Sequence, residues 1–274
     1  MTTFTNFPMQ REHVLKNGNT TVGVMPDINL ISHFQVGDWP VLYRATETGN
    51  VKRWGLPLMI PNFSRLKNGI FEDKGTSLPT HGFGRDLPWT VIGANDAQIT
   101  LQLQSSETTR SAYPYEFTFT VALAISEGVL TYTLTMENRN DEVMPIAPGF
   151  HPYFSVAQKD KAAIKVHGLP TFDAHAINWE TQPPDTHFPF SHQVTVDIPH
   201  HGVLTIAEQP VANKYSLSEM QVWSEPATAP DHNFICFEPV VTYENGLNRP
   251  HDRLNIPPQS SHQLVLELRA QPHA

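Results

Sequence analysis

The amino-acid sequence predicts an all-β protein with few short helices, built as a β-sandwich or a β-barrel. In several segments apolar residues alternate with polar ones, which is the period of a strand that buries one face. Clusters of Pro, Gly, Asn and Asp separate these segments and supply turns. No window of about a dozen residues combines a helical period with a capping residue. Many short strands divided by turn residues are typical of sandwiches and barrels.

The clearest predicted element is a β-hairpin. Odd-numbered positions are apolar throughout residues 116–125, and Ser126-Glu127-Gly128 then supplies a turn. Apolar residues again alternate with threonines over residues 130–136, so both strands are expected to bury one face. Four further strands are predicted, at residues 98–104, 194–198, 233–237 and 263–269.

The connections between these strands contain little that is helical. Residues 159–163 are predicted to form one short helical turn, whereas the Pro-rich segments 183–189 and 226–230 are predicted to be loops. The composition does not change abruptly along the chain. Because all-β sandwiches reach this length as one unit, we expect a single domain over residues 1–274.

Composition and charge exclude several classes of protein. The net charge of −9 argues against nucleic acid or an anionic membrane as the main partner. The single cysteine, Cys236, excludes an internal disulfide framework and a cysteine-based zinc cluster. The N-terminus lacks the pattern of a signal peptide, and no apolar run is long enough for a membrane helix. We therefore expect a cytoplasmic protein, and its oligomeric state stays open.

Three short segments depart from the alternating pattern and carry candidate chemistry. In the first, two glycines one residue apart lie beside His81 and Arg85, where they would allow a backbone or ligand to approach closely. A tight loop with a solvated histidine is the alternative. In the second, Pro152 steers His151 toward an extended backbone among aromatic neighbours. This histidine is either a structural hydrogen-bonding group or a positioned acid or base.

The third segment ends in a carboxylate. Alternation places Phe234, Cys236 and Glu238 on one face of the strand, and Pro239 is expected to end its hydrogen bonding. Apolar surroundings raise the pKa of a glutamate and suit it to proton transfer near neutral pH. The alternative is a carboxylate at a strand end that reaches solvent.

Together these segments resemble the aldose 1-epimerase (mutarotase) family, which includes the hexose-6-phosphate 1-epimerases. The resemblance rests on a His-Gly-Phe-Gly-Arg segment from His81 followed by Trp89, and on a His-Pro-Tyr-Phe segment from His151. It also rests on the late Cys-Phe-Glu-Pro segment containing Glu238 and on an upstream stretch containing Arg65. It extends from about residue 53 to the C-terminus.

The resemblance implies a large antiparallel β-sandwich of the galactose mutarotase-like type, which agrees with the strands predicted above, and it implies interconversion of sugar anomers. By this likeness His81 would hold the ring region of the sugar, His151 would protonate the ring oxygen and Glu238 would take the proton from the C1 hydroxyl. Arg65 and Arg85 would bind sugar hydroxyls or a phosphate. Neither a metal nor an organic cofactor is required. Because one group must be a carboxylate and the other an imidazolium, we expect their environments to hold the two pKa values apart.

Other expectations concern specificity and rival functions. Trp89 is a further candidate for sugar binding, and Asp173 and Asp231 are weak candidates for the family's substrate-binding aspartate. One rival function is a carbohydrate-binding module without turnover, in which Trp54, Trp89 and Trp223 stack on sugars. Another is a metal-dependent β-barrel enzyme, suggested only by the 14 histidines.

Overall fold

The strands of the protein lie in two large antiparallel sheets. The computed structural model describes residues 12–44 and 53–273. The strands are β1 His13–Asn17, β2 Thr20–Met25, β3 Leu30–Val36, β4 Trp39–Pro40, β5 Leu56–Met59, β6 Ile70–Phe71, β7 Thr76–Ser77, β8 Thr90–Ala94, β9 Gln98–Gln104, β10 Phe117–Ser126, β11 Val129–Asn138, β12 Met144–Ile146, β13 Gly149–Phe150, β14 Tyr153–Ser155, β15 Lys165–His167, β16 Asp185–Pro189, β17 Gln193–Ile198, β18 Gly202–Gln209, β19 Glu219–Trp223, β20 Phe234–Val240, β21 Leu254–Ile256 and β22 Ser261–Pro272.

Helical structure is sparse in the described part of the chain. One α-helix, α1, covers Glu107–Ala112, and its N-cap Ser106 accepts a hydrogen bond from the backbone N–H of Thr109. The other helical segments are short 3₁₀ turns, at Pro26–Ile28, Lys67–Gly69, Gln158–Ala163, Ala174–Ala176 and Gly246–Asn248. No described helix has the length and apolar character needed to cross a bilayer.

Within the described ranges the first sheet has ten strands and the second has eight. The first follows the order β1-β2-β3-β5-β13-β20-β19-β16, with β4 paired to β3 and β14 paired to β20. The second follows the order β15-β17-β18-β22-β11-β10-β9-β8. Two small two-stranded sheets, β12-β21 and β6-β7, complete the pairing.

The apolar faces of the two sheets share one hydrophobic core. In the second sheet Leu123 of β10 lies opposite Tyr132 of β11, and both side chains are buried. Tyr132 in turn meets Phe150 of the first sheet edge to face, with ring centroids 5.0 Å apart. The predicted β-sandwich is therefore confirmed, and so is the predicted hairpin.

The other predicted elements agree with the structure in most places. The segments predicted from alternation lie in β9, β17, β20 and β22, and the predicted helical turn is the 3₁₀ segment Gln158–Ala163. Residues 226–230 form a loop, as expected. The Pro-rich segment 183–189 was predicted to be a loop, but its last five residues form β16 at the edge of the ten-stranded sheet. Proline is tolerated on an edge strand, so the composition did not exclude a strand there.

Pro239 does not end its strand, contrary to expectation. It lies inside β20 and is paired with Met220 of β19. On its other side β20 pairs with β13 at Val240 and with β14 at residues 234–236, so the break between β13 and β14 lies beside Pro239. The missing N–H is tolerated at this break, and His151 is one of the residues that forms it.

Candidate active site

One end of the ten-stranded sheet forms a cleft of about 840 Å³. Its walls are β16, β19 and β20, the break between β13 and β14, and the loops that follow β5 and β7. Of the six site residues expected from the sequence, five line this cleft: His81, His151, Glu238, Arg65 and Arg85. The cleft thus brings together residues that are up to 173 positions apart in the chain.

His151 and Glu238 face each other at the inner end of the cleft. The Nδ1 atom of His151 lies 3.4 Å from Oε1 of Glu238, and the two residues are 5% and 2% exposed. Glu238 lies in β20. His151 lies between β13 and β14, and both of these strands pair with β20. The backbone pairing therefore juxtaposes an imidazole and a carboxylate.

Aromatic rings hold the imidazole of His151 in place. Its ring stacks on Tyr153, with centroids 4.6 Å apart and an interplanar angle of 3°. The ring of Trp223 meets it edge-on at 5.8 Å, and the ring of His81 lies 5.5 Å away. These contacts leave the imidazole little freedom to rotate, so its nitrogens have a defined position relative to Glu238.

His81 is a neutral imidazole with a defined tautomer. Its Nδ1 accepts a hydrogen bond of 3.1 Å from the backbone N–H of Ser64, which leaves Nε2–H as the donor of the ring. Burial, together with the guanidinium groups of Arg85 and Arg65, lowers the pKa of His81 to about 3. At neutral pH this residue can therefore donate a hydrogen bond but does not carry a charge.

The two glycines after His81 allow close packing against the end of β5. Gly82 has a φ of +67°, and a β-carbon there would lie 2.1 Å from the carbonyl oxygen of Ile60. The same carbonyl accepts hydrogen bonds from the backbone N–H groups of Phe83 and Gly84, at 2.9 and 3.0 Å. The loop is thus fixed to β5, and it presents His81 to the cleft.

The pKa values of the facing pair differ from the expected arrangement. Burial lowers the pKa of His151 well below its usual value, and the nearby His81 and Arg85 lower it further. Burial also raises the pKa of Glu238 well above its usual value; Asp185 adds to this effect and Arg85 opposes it. Because desolvation penalises both charged forms, these directions favour a carboxylic acid and a neutral imidazole. The expected carboxylate and imidazolium are therefore not the favoured pair.

Three arginines line the cleft, one more than the sequence indicated. Arg65 is exposed, whereas Arg85 is half-buried and its Nε finds no hydrogen-bond partner among the described residues. Arg53 makes an ion pair with Glu225, and its guanidinium lies over the ring of Trp223 at 5.7 Å. Arginine guanidinium groups at the cleft are donors suited to hydroxyl or phosphate oxygens.

Sequence reasoning missed the polar wall formed by β16 and β19. Asp185 of β16 accepts a 2.6 Å hydrogen bond from the side chain of Gln221, which lies opposite Glu238 in β19. The two aspartates considered from the sequence lie elsewhere: Asp173 caps a 3₁₀ turn, and Asp231 accepts a hydrogen bond from Tyr43. Asp185 lies in a segment without hydrophobic alternation, so only the pairing of its strand reveals its position.

Of the three tryptophans considered for sugar stacking, one lines the cleft and two lie in hydrophobic clusters. Trp223 lines the cleft. Trp89, expected to bind sugar, is buried in the main hydrophobic core, and its indole N–H donates a 2.8 Å hydrogen bond to the carbonyl of Gly84. Trp54 is buried in a separate hydrophobic cluster. Trp89 therefore supports the loop after His81 from behind and does not contact the cleft.

Comparisons with known proteins identify relatives of the chain by sequence and by fold. Residues 64–229, more than half of the chain, match the model of the family described as aldose 1-epimerase. Two curated relatives, from Salmonella typhimurium and Escherichia coli K12, both bear the name "Putative glucose-6-phosphate 1-epimerase". They are 33% and 30% identical over 149 residues, which cover 52% of this chain and 46% of each relative. The match thus spans about half the length of those relatives.

Solved structures share the fold over nearly the whole chain. A protein of Synechocystis sp. PCC 6803 has a TM-score of 0.86 at 22% identity and covers 100% of both chains. A galactose mutarotase related enzyme from Lactobacillus acidophilus has a TM-score of 0.76 at 18% identity, covering 95% of this chain and 97% of its own. The cleft, the sandwich and the family match lead to one conclusion: the chain belongs to the aldose 1-epimerase family.

Proposed function

We propose that this protein is an aldose 1-epimerase, which interconverts the α and β anomers of a sugar by opening and closing its ring. The observation that carries the proposal is the pair formed by His151 and Glu238, 3.4 Å apart at the inner end of a cleft of about 840 Å³. Anomer exchange needs one group that accepts a proton and one that donates a proton, and this pair provides both.

In the proposed reaction only protons are exchanged between the protein and the sugar, one at each of two groups. In ring opening Glu238, as a carboxylate, takes the proton of the C1 hydroxyl while His151, as an imidazolium, protonates the ring oxygen. The C1–O5 bond breaks and an aldehyde forms at C1. After rotation about the C1–C2 bond, Glu238 returns its proton to the aldehyde oxygen and His151 takes the proton from the C5 hydroxyl. The ring closes with either configuration at C1, and both groups return to their starting states.

The pKa directions identify which state of the pair the cleft favours. A protonated Glu238 with a neutral His151 is the state that accompanies the open-chain sugar in this scheme. Binding of the cyclic sugar then requires transfer of that proton to His151. Arg85 acts on both ends of this transfer, because its guanidinium favours the carboxylate form of Glu238 and disfavours the imidazolium form of His151.

Other cleft residues would hold the sugar in position. His81 would donate its Nε2–H to an oxygen of the sugar, as expected from the resemblance, because its Nδ1 is already bonded to the backbone. Asp185 and Gln221 offer an acceptor and a donor for hydroxyl groups on the opposite wall. The ring of Trp223 offers an apolar surface for a sugar face.

The proposal is tested by measuring anomer exchange with NMR on wild-type protein and on Glu238→Gln. We expect the wild type to accelerate exchange and Glu238→Gln to lose about 10² to 10⁴ of the rate. Glu219→Gln is the matched control, because burial also raises the pKa of this carboxyl group although it does not line the cleft. Equal rates in wild type and Glu238→Gln would contradict the assignment of the base.

A second candidate is hexose-6-phosphate 1-epimerase activity. Two observations favour it: Arg65 and Arg85 lie in the cleft, and both curated relatives bear a glucose-6-phosphate 1-epimerase name. Rates on glucose, galactose and glucose 6-phosphate distinguish the candidates. If the phosphate is recognised, Arg65→Gln will raise KM for glucose 6-phosphate and leave KM for glucose unchanged.

A carbohydrate-binding protein without turnover is the remaining alternative. It would show sugar-dependent changes in the fluorescence of Trp223, which lines the cleft, without any acceleration of anomer exchange. The presence of both proton-transfer groups in one cleft favours the enzyme.

A further inference from the structure

Three different metal-binding side chains lie close together: His151 and Glu238 line the cleft, and Cys236 is buried beside them. His151, Cys236 and Glu238 each offer one ligand atom, and these atoms all lie within 4.8 Å of one another. Among the residues that the structure describes, this is the one group of its kind. We refer to these three residues as the His-Cys-Glu cluster. The epimerase mechanism uses its histidine and its glutamate but leaves the cysteine without a role.

The backbone places the cluster in a defined arrangement. Cys236 and Glu238 are two residues apart in β20, so their side chains lie on the same face of the strand. His151 reaches that face from the break between β13 and β14, where Tyr153 pairs with Cys236. All three residues are at least nine-tenths buried. The cluster is therefore built by β20 and by the short break between the two strands that pair with it.

A buried polar atom points into the cluster without a hydrogen bond. Among the residues in the described ranges, none forms a hydrogen bond with Nδ1 of His151, although Oε1 of Glu238 lies only 3.4 Å away. Buried ring nitrogens are normally hydrogen-bonded, so this atom has an unfilled requirement for a partner. A cation bound between the imidazole and the carboxylate would meet it.

The distances suit a zinc-like ion after small side-chain movements. Zinc bonds to sulfur, nitrogen and oxygen ligands measure about 2.0 to 2.3 Å in tetrahedral sites, which separates the ligand atoms by about 3.5 Å. The imidazole and carboxylate already have this separation. The thiol sulfur lies within 4.8 Å of the other two ligand atoms, so it must approach them by at most about 1 Å to reach this separation. A thiolate and an imidazole also select soft or borderline metals over Mg²⁺.

We propose that the His-Cys-Glu cluster binds a thiophilic divalent cation such as Zn²⁺ or Cd²⁺, and that this binding inhibits the enzyme. Coordination forms metal–sulfur, metal–nitrogen and metal–oxygen bonds, and the thiol proton and any proton on the carboxyl group leave to solvent. The metal occupies both groups of the proton-transfer pair, so it excludes catalysis by them. Metal binding is independent of the proposed function, whereas inhibition rests on it.

The first test is spectroscopic and needs no activity. Co²⁺ is added to the protein and the thiolate-to-metal charge-transfer absorption is recorded. Because Cys236 is the sole cysteine in the sequence, such a band can arise only from this residue. We expect the band in wild type and its absence in Cys236→Ser and Cys236→Ala. The absence of a thiolate band in folded wild-type protein would overturn the proposal.

The second test measures inhibition of anomer exchange. We expect Cd²⁺ to inhibit the wild type, and we expect Cys236→Ser to need at least tenfold more Cd²⁺ for the same inhibition. Cys236→Ala is the second variant, in case a buried hydroxyl disturbs folding. Mg²⁺ serves as the control and should have no effect. Equal inhibition of wild type and both variants would overturn the proposal, since the metal would then bind without the thiol.

The two tests separate failure of this proposal from failure of the proposed function. A thiolate band without any epimerase activity would support the metal site and contradict the enzyme assignment. Activity that is insensitive to Cd²⁺, together with no band, would contradict only the metal site. The sugar whose anomer exchange the protein accelerates, added in excess, should weaken Co²⁺ binding if sugar and metal share His151 and Glu238, and unchanged Co²⁺ binding would contradict the shared site.

Discussion

Glu238 and His151 carry the proposed chemistry from positions that are almost fully buried. The alternation of the strand placed Glu238 at the end of an apolar row, and Pro152 indicated an extended backbone at His151. Their contact was not predictable, because it depends on the pairing of β20 with the strands on either side of the break at His151. The raised pKa of Glu238 agrees with the apolar row in which the sequence places it, whereas the lowered pKa of His151 was not expected, since it depends on burial beside His81 and Arg85.

The pH dependence of the reaction should reflect this burial. The active pair holds one proton, so activity falls at low pH when a second proton binds, and this step is governed by the lowered pKa of His151. The acid limb of kcat/KM should therefore lie below pH 6.5, the usual pKa of histidine. NMR exchange rates from pH 4.5 to 8, corrected for the spontaneous rate, measure it. An acid limb at or above pH 6.5 would contradict the assignment.

At the scale of elements, two loops and one edge strand complete the cleft. The segment from His81 to Arg85 was recognised from its glycines, and the structure adds the reason: its backbone packs on the carbonyl of Ile60. The strand β16 was not recognised, because it is a short, exposed edge strand with a proline at its end. Patterns of hydrophobicity report a buried face, so they do not detect an edge strand that has none.

Gly82 should be far less tolerant of substitution than Gly69. Both have positive φ, +67° and +70°, but a β-carbon at Gly82 meets the carbonyl of Ile60 at 2.1 Å, whereas at Gly69 it meets nothing within 4 Å. Gly69→Ala should lower the free energy of unfolding by about 1–2 kcal/mol, the cost of the left-handed conformation. Gly82→Ala should cost at least about 1 kcal/mol more. Urea unfolding of both variants measures the difference, and equal losses would contradict the packing described.

Asp185 should contribute to sugar binding, although its strand was not predicted from the sequence. Asp185→Asn removes the charge but keeps the shape of an acceptor that lines the cleft. We expect KM to rise about tenfold, equivalent to about 1.4 kcal/mol. Asp173→Asn is the control, because Asp173 caps a 3₁₀ turn and does not line the cleft. A larger effect of the control than of Asp185→Asn would contradict this role.

At the scale of the whole molecule, the sandwich was predictable and its layering was not. Period-two alternation indicates that a strand has one buried face, but it does not say which strands lie side by side. The ten-stranded sheet contains β1 to β4, which lie within residues 13–40, together with β20 at residues 234–240. The cleft therefore depends on pairing between distant parts of the chain. We propose that the chain folds as one domain, because both sheets contribute to a single core.

The contact between the sheets should make unfolding cooperative. Tyr132 of the second sheet packs on Phe150 of the first, and its hydroxyl accepts a hydrogen bond from Asn29. Tyr132→Ala should lower the free energy of unfolding by about 3–5 kcal/mol, as for other buried aromatic residues. Tyr215→Ala, at a residue that is 47% exposed, should lower it by much less. Tryptophan fluorescence and far-ultraviolet circular dichroism should give coincident transitions, and separate ones would contradict a single domain.

The central claim is that His151 and Glu238 act as one proton-transfer pair, and a double-mutant cycle tests it most directly. Anomer exchange is measured by NMR for wild type, His151→Asn, Glu238→Gln and the double variant, each shown to be folded. Because the reaction needs both groups, each single variant should lose about 10² to 10⁴ of the rate, and the double variant should lose little more. A loss in the double variant equal to the product of the single losses, or a wild-type rate in either single variant, would contradict the claim.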